Sequence, residues 1–387
     1  MDDREVLARA DQILKMANLE SGQLTVENFF EYAELVSQCV REWPLRKREQ
    51  TPWLMDWAKR FRGLYDNFDR IVAADPMILY RPANRASVEF HSSDAFIRYF
   101  RAGNRTSKTQ SGYAEHYFVT TEQHKWRDFP TGPHSTFIIG VNFSKYCPAV
   151  FEKKFLTGEQ GNALSPMFPP GGKWLYRYDE RRHEVQLACP RCANAGKAGS
   201  CPHPKSTIRL FSDTEGWEVL QGGSYILGHF DEHIDEEFFN ESIQRIQTAG
   251  RSSCLLVTGT PLHGHEAWEH RRLTKIHLEG PPRNRISPDD PSSAPFVSLH
   301  EIDQFEAGLV PHERIRMSMG IMDAFEVESR VYGRPAPLAK NPVFNRKALA
   351  ELRRASTSPG RGHLRVEEDT MAVDIVDTTR FGFHEQD

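Results

Sequence analysis

The sequence has no run of about 18 apolar residues, so it offers no candidate for a membrane-spanning helix. It has no excess of positive charge either. Its 49 Lys and Arg against 53 Asp and Glu give a net charge of −4, with a pI near 6.5. That balance argues against a basic coat for nucleic acid, so any DNA contact must come from local patches. Cysteine is scarce: six in 387 residues cannot make a disulfide scaffold. The opening Met1-Asp2-Asp3-Arg4-Glu5 lacks the pattern of a secretory signal, and the chain is expected to stay in the cytosol that makes it. What remains is an ordinary globular composition, 39% apolar and 26% charged. The length suits one large domain or two smaller ones.

Residues 1–75 read as a helical region. Val6, Ala10, Ile13 and Leu14 recur at helical spacing, as do Phe29, Phe30, Ala33, Leu35 and Val36, with Thr25 as a cap. A strand follows at Ala95–Phe100 and a second at Thr136–Phe143. Lys173–Leu187 and the stretch from Ile208 are strand-like, and further apolar runs occupy Ser224–Phe230 and Cys254–Thr258. These runs end in small or acidic residues and alternate with helical stretches, which predicts an α/β fold around a mainly parallel sheet. Helices are expected near Ser298–Gly308 and Glu313–Ser329, with a loop at Pro281–Pro295 and a linker at Ser356–Gly362.

The first strand runs into Ala102-Gly-Asn-Arg-Thr-Ser107-Lys108-Thr109. This matches the phosphate-loop pattern G-x-x-x-x-G-K-[ST] with Ala102 and Ser107 in place of its two glycines. The chemistry needs inward-facing backbone N–H groups, a lysine for the β/γ-phosphates and a hydroxyl for Mg²⁺. Gly103, Asn104, Arg105, Thr106, Ser107, Lys108, Thr109 and Gln110 are therefore the candidate ATP-binding loop, with Lys108 catalytic and Thr109 a metal ligand. The missing glycines matter only where positive φ or contact without a Cβ is required. Tyr225–Phe230 then delivers Asp231-Glu232 at a strand end, where ligands bind in open α/β sheets. Asp231 suits Mg²⁺, and Glu232 suits polarising an attacking water. Leu255–Pro261 carries Thr258 and Thr260 to a position that can sense the γ-phosphate.

Four stretches taken in order resemble the phage terminase large subunit family. They are Tyr80-Arg-Pro82 through Phe90-His91 to Lys108-Thr109; Ile208–Ser212 with Leu220-Gln-Gly-Gly223; Asp231-Glu232 with Thr258-Gly-Thr-Pro261; and Glu328-Ser-Arg330 through Gly333-Arg-Pro335 to Val343-Phe344. The resemblance covers roughly residues 76–345. It implies a P-loop NTPase (RecA/ASCE-like) domain that hydrolyses ATP to drive double-stranded DNA through a portal protein into a procapsid. It further implies a motor that works in the host cytoplasm as a homo-oligomeric ring, for which a small terminase subunit is a candidate partner. It also implies that Arg105 senses the γ-phosphate and acts in catalysis, and that Thr258-Gly-Thr260 couples hydrolysis to motion. A transition-state arginine supplied in trans is expected in ring ATPases, and Arg245 and Arg251 are candidates. At the position where the family often has an adenine-contacting glutamine, this chain has Ser87. Only about forty residues follow Phe344, too few for the family's nuclease domain. Asp369, Asp374 and Asp377 there read as solvated acids and residues 346–387 as a tail or linker; the expectation is that cutting lies on a separate nuclease, or that this chain is a fragment.

Cys189-Pro-Arg-Cys192 and Cys201-Pro-His203 have the spacing of a closed Cys₃His site, which in a reducing compartment favours structural Zn²⁺. The knuckle reads as an insertion over about 180–207, with Arg181, Arg182, Arg191, Lys197 and Lys205 around it. His263, His265 and His270 read as surface or DNA-proximal residues rather than ligands. Two other functions fit less well: a non-hydrolysing, zinc-stabilised DNA- or portal-binding adaptor with a degenerate loop, and another P-loop translocase or helicase, for which further motifs are missing.

Overall fold

A computed structural model describes residues 69–246, 252–281, 283–287 and 293–337, with two short strands at 364–366 and 373–375. The helical region read over 1–75 lies outside these residues except for 69–75, of which 69–74 are helical. The linker at 356–362, Arg251 and the side chains of Asp369, Asp374 and Asp377 also lie outside them. A boundary between two compact units falls at Ala336/Pro337. In the second unit, β9 (Leu364–Val366) pairs antiparallel with β10 (Val373–Ile375).

The first unit is built on one eight-stranded sheet. In chain order its strands are β1 (Ile97–Ala102), β2 (Ser135–Gly140), β3 (Leu175–Asp179), β4 (Glu184–Leu187), β5 (Ser206–Ser212), β6 (Leu227–Asp231), β7 (Cys254–Gly259) and β8 (Val297–Ile302). Their spatial order is β3-β4-β5-β2-β6-β7-β1-β8. From β5 to β8 every pairing is parallel, while β4 runs antiparallel to both its neighbours. The α/β class with a mainly parallel sheet, expected from the sequence, is the architecture observed. Among the described residues no helix is long and apolar enough to cross a membrane.

Both faces of the sheet are covered, as parallel sheets require. The alternation of β2 shows how: Ile138 enters one core with Phe151, Phe155 and Trp174, while Phe137 and Ile139 enter the other with Phe230, Phe238 and Trp268. Two helices matter for the site, α1 (Arg85–Ser92) and α2 (Lys108–Thr120).

Several boundaries differ from the sequence reading. Residues 298–308 were expected to be helical; only Gln304–Ala307 are, while Val297–Ile302 form the edge strand β8, in register with β1 from Ile97↔Val297 to Ala102↔Ile302. Ser298, His300 and Glu301 gave this stretch a polar look. At an edge only part of each side chain is covered, so the apolar alternation is diluted. Lys173–Leu187 is a hairpin of two strands rather than one. The run read as Thr136–Phe143 stops at Gly140, and Phe143 opens a helical turn. The helix read over 313–329 breaks after Met319 and restarts at Ala324 under a capping box from Asp323 and Glu326.

The helix that follows the phosphate-type loop is buried on nearly every side from Ser111 to Thr120. A helix so enclosed must pair its polar groups internally. Glu115 accepts from Arg98 Nη2 at 2.6 Å, from His91 at 2.5 Å and from His124 at 3.1 Å. Arg98 also donates to the Phe90 carbonyl and to Cys254 Sγ, tying α1, α2, β1 and β7 into one unit. Burial alone would push the Glu115 pKa up, but Arg98, His124 and His91 hold it well below the usual carboxylate range. Burial brings His229 down to about 4 and His300 down to about 3.

Two outcomes follow from this interior. Glu115→Ala strands Arg98 as a buried, uncompensated charge and is expected to cost about 3–5 kcal/mol in urea unfolding. Between pH 6.5 and 4 the unfolded chain binds protons that buried His229 and His300 refuse, and below that Glu115 must also be protonated. Unfolding free energy should therefore fall steadily as pH drops from 6.5; a flat profile over pH 4–6.5 contradicts the assignment.

Candidate functional site

In a parallel sheet all carboxyl ends lie along one edge. Here β7 stands between β1 and β6. With strands about 4.8 Å apart, the loop after β1 and the acids after β6 face each other across about 10 Å, enough for phosphates and a metal. The register sets β7 at the same level: Phe100 and Asp231 both pair with Thr258.

The loop from Gly103 to Ser107 joins β1 to α2. Its turn uses left-handed backbone at Arg105 (φ 56°) and Ser107 (φ 70°). Ser107 stands where the phosphate-loop pattern has its second glycine, and the position does require positive φ. A serine there costs roughly 1–2 kcal/mol relative to glycine. A hydroxyl and amide cluster offsets that cost. Asn84, the N-cap of α1, donates to the Thr106 carbonyl at 2.9 Å and to Ser107 Oγ at 3.2 Å. Ser87 Oγ lies 2.9 Å from Ser107 Oγ and receives Ser111 Oγ–H at 3.1 Å. Ser87 is thus a buried brace for the loop. Ala102, at the other replaced glycine, ends β1 as an ordinary buried residue.

Gly103 needs its missing Cβ for a different reason. A Cβ there would lie 2.5 Å from the Val331 carbonyl oxygen and 2.7 Å from that of Arg330. Gly333 (φ 64°) presses back on the same spot, where its Cβ would meet Gly103 N at 2.6 Å. Asn104 N–H donates to the Arg330 carbonyl at 2.7 Å, and Gln304 Nε2 bridges the Asn104 and Arg330 carbonyls. The segment Glu328–Gly333 therefore clamps the loop backbone to backbone.

Lys108, Thr109, Asp231 and Glu232 converge. Lys108 Nζ is 3.2 Å from the Gly103 carbonyl and 3.7 Å from Glu232 Oε1. Asp231 Oδ1 accepts from Thr109 Oγ1 at 3.0 Å and from Thr258 Oγ1 at 2.7 Å; its Oδ2 accepts from Tyr146 at 2.5 Å. Glu232 adopts φ 73°, with its N–H donating to the Thr258 carbonyl and its Oε2 accepting from Thr260 N at 2.9 Å. Burial raises the Glu232 pKa, against the pull of Lys108. Thr260 Oγ1 donates to Asn104 Oδ1 at 3.1 Å, joining the end of β7 to the loop. Among the described residues five non-glycine residues have positive φ, and three of them (Arg105, Ser107 and Glu232) sit here, so backbone strain is concentrated at this mouth.

Other predicted residues fall as follows. Thr106 is buried, its hydroxyl on the Gly103 carbonyl, and Arg105 projects into solvent. Gln110 receives Lys154 Nζ at 3.0 Å. Arg245 is ion-paired with Glu241, and its carbonyl accepts from Tyr225 N–H at the amino end of β6, the opposite edge from this chain's own site. His270 is half-buried and lies 3.0 Å from Arg101 Nη1. Exposed His263 stacks on His233. Tyr146 and Gln304 had no signal in the sequence, because each reaches the site from an element distant in the chain; His229 lay unnoticed within the apolar run before Asp231, and Arg330 stood in a stretch read for its resemblance but with no role assigned.

Between β4 and β5, Cys189, Cys192, Cys201 and His203 bring their ligand atoms within 4.8 Å of one another, the one such grouping among the described residues. Cys201 Sγ to Cys189 Sγ is 3.8 Å, and His203 Nδ1 lies 3.3, 3.4 and 3.9 Å from the three sulfurs. The edge of a tetrahedron with metal–sulfur bonds of about 2.3 Å is about 3.8 Å, so these four atoms can hold a metal ion.

No family model and no curated protein matches the chain. Similar solved structures include the large terminase ATPase domain of Thermus phage P74-26, at 14% identity and TM-score 0.44, covering 66% of this chain and 95% of that one. A large terminase from a thermophilic bacteriophage matches at 10% identity and TM-score 0.44, covering 65% of this chain and 53% of that one. Its complex with ADP matches at 11% and 0.42, covering 65% and 52%. At these identities and scores the likeness bears on neither substrate nor partner.

Gly103→Ala drives a methyl group into the Arg330–Val331 carbonyls. It is expected to lower stability by about 1–3 kcal/mol in denaturant unfolding; unchanged stability would mean that the clamp is loose.

Proposed function

We propose that the chain is the ATP-hydrolysing subunit of a DNA-packaging motor of the terminase large subunit type. The observation that carries the ATPase reading is the convergence of Lys108, Thr109, Asp231 and Glu232 at the carboxyl ends of β1 and β6. The donor set fits a nucleotide and its metal: an ammonium and a hydroxyl at a helix start, facing an aspartate. Thr109 and Asp231 would hold Mg²⁺, which supplies charge neutralisation across the β- and γ-phosphates. Gly103–Gln110 cradle the phosphates, Lys108 neutralises the β/γ oxygens and Arg105 reaches the γ-phosphate from solvent.

Glu232 performs the proton work. Its carboxylate orients a water for in-line attack on the γ-phosphorus and takes up the water's proton. The new P–O bond forms as the bond to the β-phosphate oxygen breaks, leaving ADP and phosphate. The burial that raises its pKa makes it a better base than a solvated glutamate. Loss of the γ-phosphate then changes what Thr260 and Asn104 meet, and their hydrogen bond carries that change into β7. The resemblance carried by these motifs implies double-stranded DNA as cargo, a portal as dock and a homomeric ring as the working form. Cys189, Cys192, Cys201 and His203 hold a structural Zn²⁺ that ties the knuckle to the sheet.

Lys108→Ala and Glu232→Gln should each reduce ATP turnover, measured with and without DNA, by at least about 10²-fold. Equal, background-level turnover in all three proteins would favour the non-hydrolysing adaptor. Metal analysis should find about one zinc per chain, lost in Cys192→Ser together with a lower melting temperature. A metal-free protein of unchanged stability contradicts the zinc assignment.

A further inference from the structure

We propose that His229 is a positioning residue that sets, through Thr258, the orientation of the Asp231 carboxylate toward the nucleotide's metal. This rests on the nucleotide reading above. His229 lies in mid-β6 and is completely buried. Its ring packs against α2 at Gly112, where a Cβ would come within 2.3 Å of it, so a glycine in a buried helix makes room for an imidazole.

Hydrogen-bond bookkeeping assigns the ring's role. His229 Nε2 is 2.8 Å from Thr258 Oγ1. The threonine hydroxyl has one proton and two other acceptors in reach, Asp231 Oδ1 at 2.7 Å and the Phe230 carbonyl at 3.5 Å. The shorter contact, to a carboxylate, takes the proton. Thr258 therefore has none left for His229, and Nε2 must be the donor. The ring is the Nε2–H tautomer, donating to Thr258, which in turn donates to Asp231.

The opposite nitrogen completes the argument. Nδ1 is buried and has no hydrogen-bond partner. An apolar side chain would fill this slot without that orphan, so the N–H toward Thr258 is what histidine adds. The groups facing the ring are Asp231, with Oδ1 4.0 Å from Nε2, and His116 and Tyr113 on α2, with ring centroids at 5.6 and 5.9 Å. Held against Gly112 on one side and Thr258 on the other, the ring acts as a fixed donor. Without it the Thr258 hydroxyl is free to turn toward the Phe230 carbonyl. Asp231 Oδ1 would then keep only Thr109, the hydroxyl assigned to the metal. Such outer hydrogen bonds orient metal ligands and tune affinity.

The test is the Mg²⁺ dependence of ADP binding to the full chain. A glutamine amide nitrogen reaches the place of Nε2, whereas an asparagine amide reaches only that of Nδ1. His229→Gln should keep the half-saturating Mg²⁺ concentration within about twofold, while His229→Asn and His229→Met raise it by about tenfold, the worth of one such hydrogen bond. Mg²⁺-free ADP affinity should be the same in all. Thr258→Val should reproduce the loss, and combining it with His229→Met should add nothing. If His229→Met does not fold, Thr258→Val and His229→Asn ask the same question. A Mg²⁺ requirement equal in the Gln, Asn and Met variants overturns the proposal and leaves His229 as core filling. Absence of any Mg²⁺-dependent ADP binding by the unsubstituted chain would instead remove the nucleotide reading itself, and this proposal with it.

Discussion

The Asp231 carboxylate is the point at which the separate elements of this protein meet. Its two oxygens take hydroxyl protons from Thr109 at the start of α2, Thr258 on β7 and Tyr146 after β2. Each donor comes from a different segment, so the aspartate fixes the first turn of α2 relative to two strands. The sheet order makes this possible: with β7 between β1 and β6, the mouth is wide enough for the loop on one side and the acids on the other. A negative charge held by three donors also keeps its direction, which a metal ligand needs.

Behind that mouth lies a second constraint, the buried Arg98–Glu115 pair with His91 and His124 around it. It is fully enclosed, so its role in net stability is secondary to its role in register. Arg98 on β1 and Glu115 on α2 lie on either side of the phosphate-type loop in sequence. Locking them together sets the distance the loop must span. The clamp of Gly103 against Arg330–Val331 then sets the loop's height. Left-handed backbone at Arg105, Ser107 and Glu232 is tolerated because these surroundings leave the chain no other course.

What could be read from the residues and what could not divide along a physical line. Lys108-Thr109, Asp231-Glu232 and the Cys₃His spacing were legible because their chemistry demands given residue types at strand ends or at fixed separations. The parallel sheet was legible because apolar runs ended in small or acidic residues. β8 was not, since an edge strand carrying Ser298, His300 and Glu301 has no clean alternation. Tyr146 and His229 gave no signal because their partners are set by packing: a tyrosine 85 residues from its aspartate looks like any core aromatic. Ser107 was read as a departure of unknown consequence. Its cost became visible only with its φ, and its compensation only with Asn84 and Ser87 beside it.

The central claim is that Lys108, Thr109, Asp231 and Glu232 share one nucleotide and one metal. An experimental structure determined with Mg²⁺ and a non-hydrolysable ATP analogue tests it most directly. The account predicts phosphates within hydrogen-bonding reach of Lys108 Nζ and the backbone of residues 103–109, with a metal beside Thr109 Oγ1 and Asp231. Analogue bound elsewhere, or phosphates beyond reach of Lys108 with the two acids turned away, would contradict it.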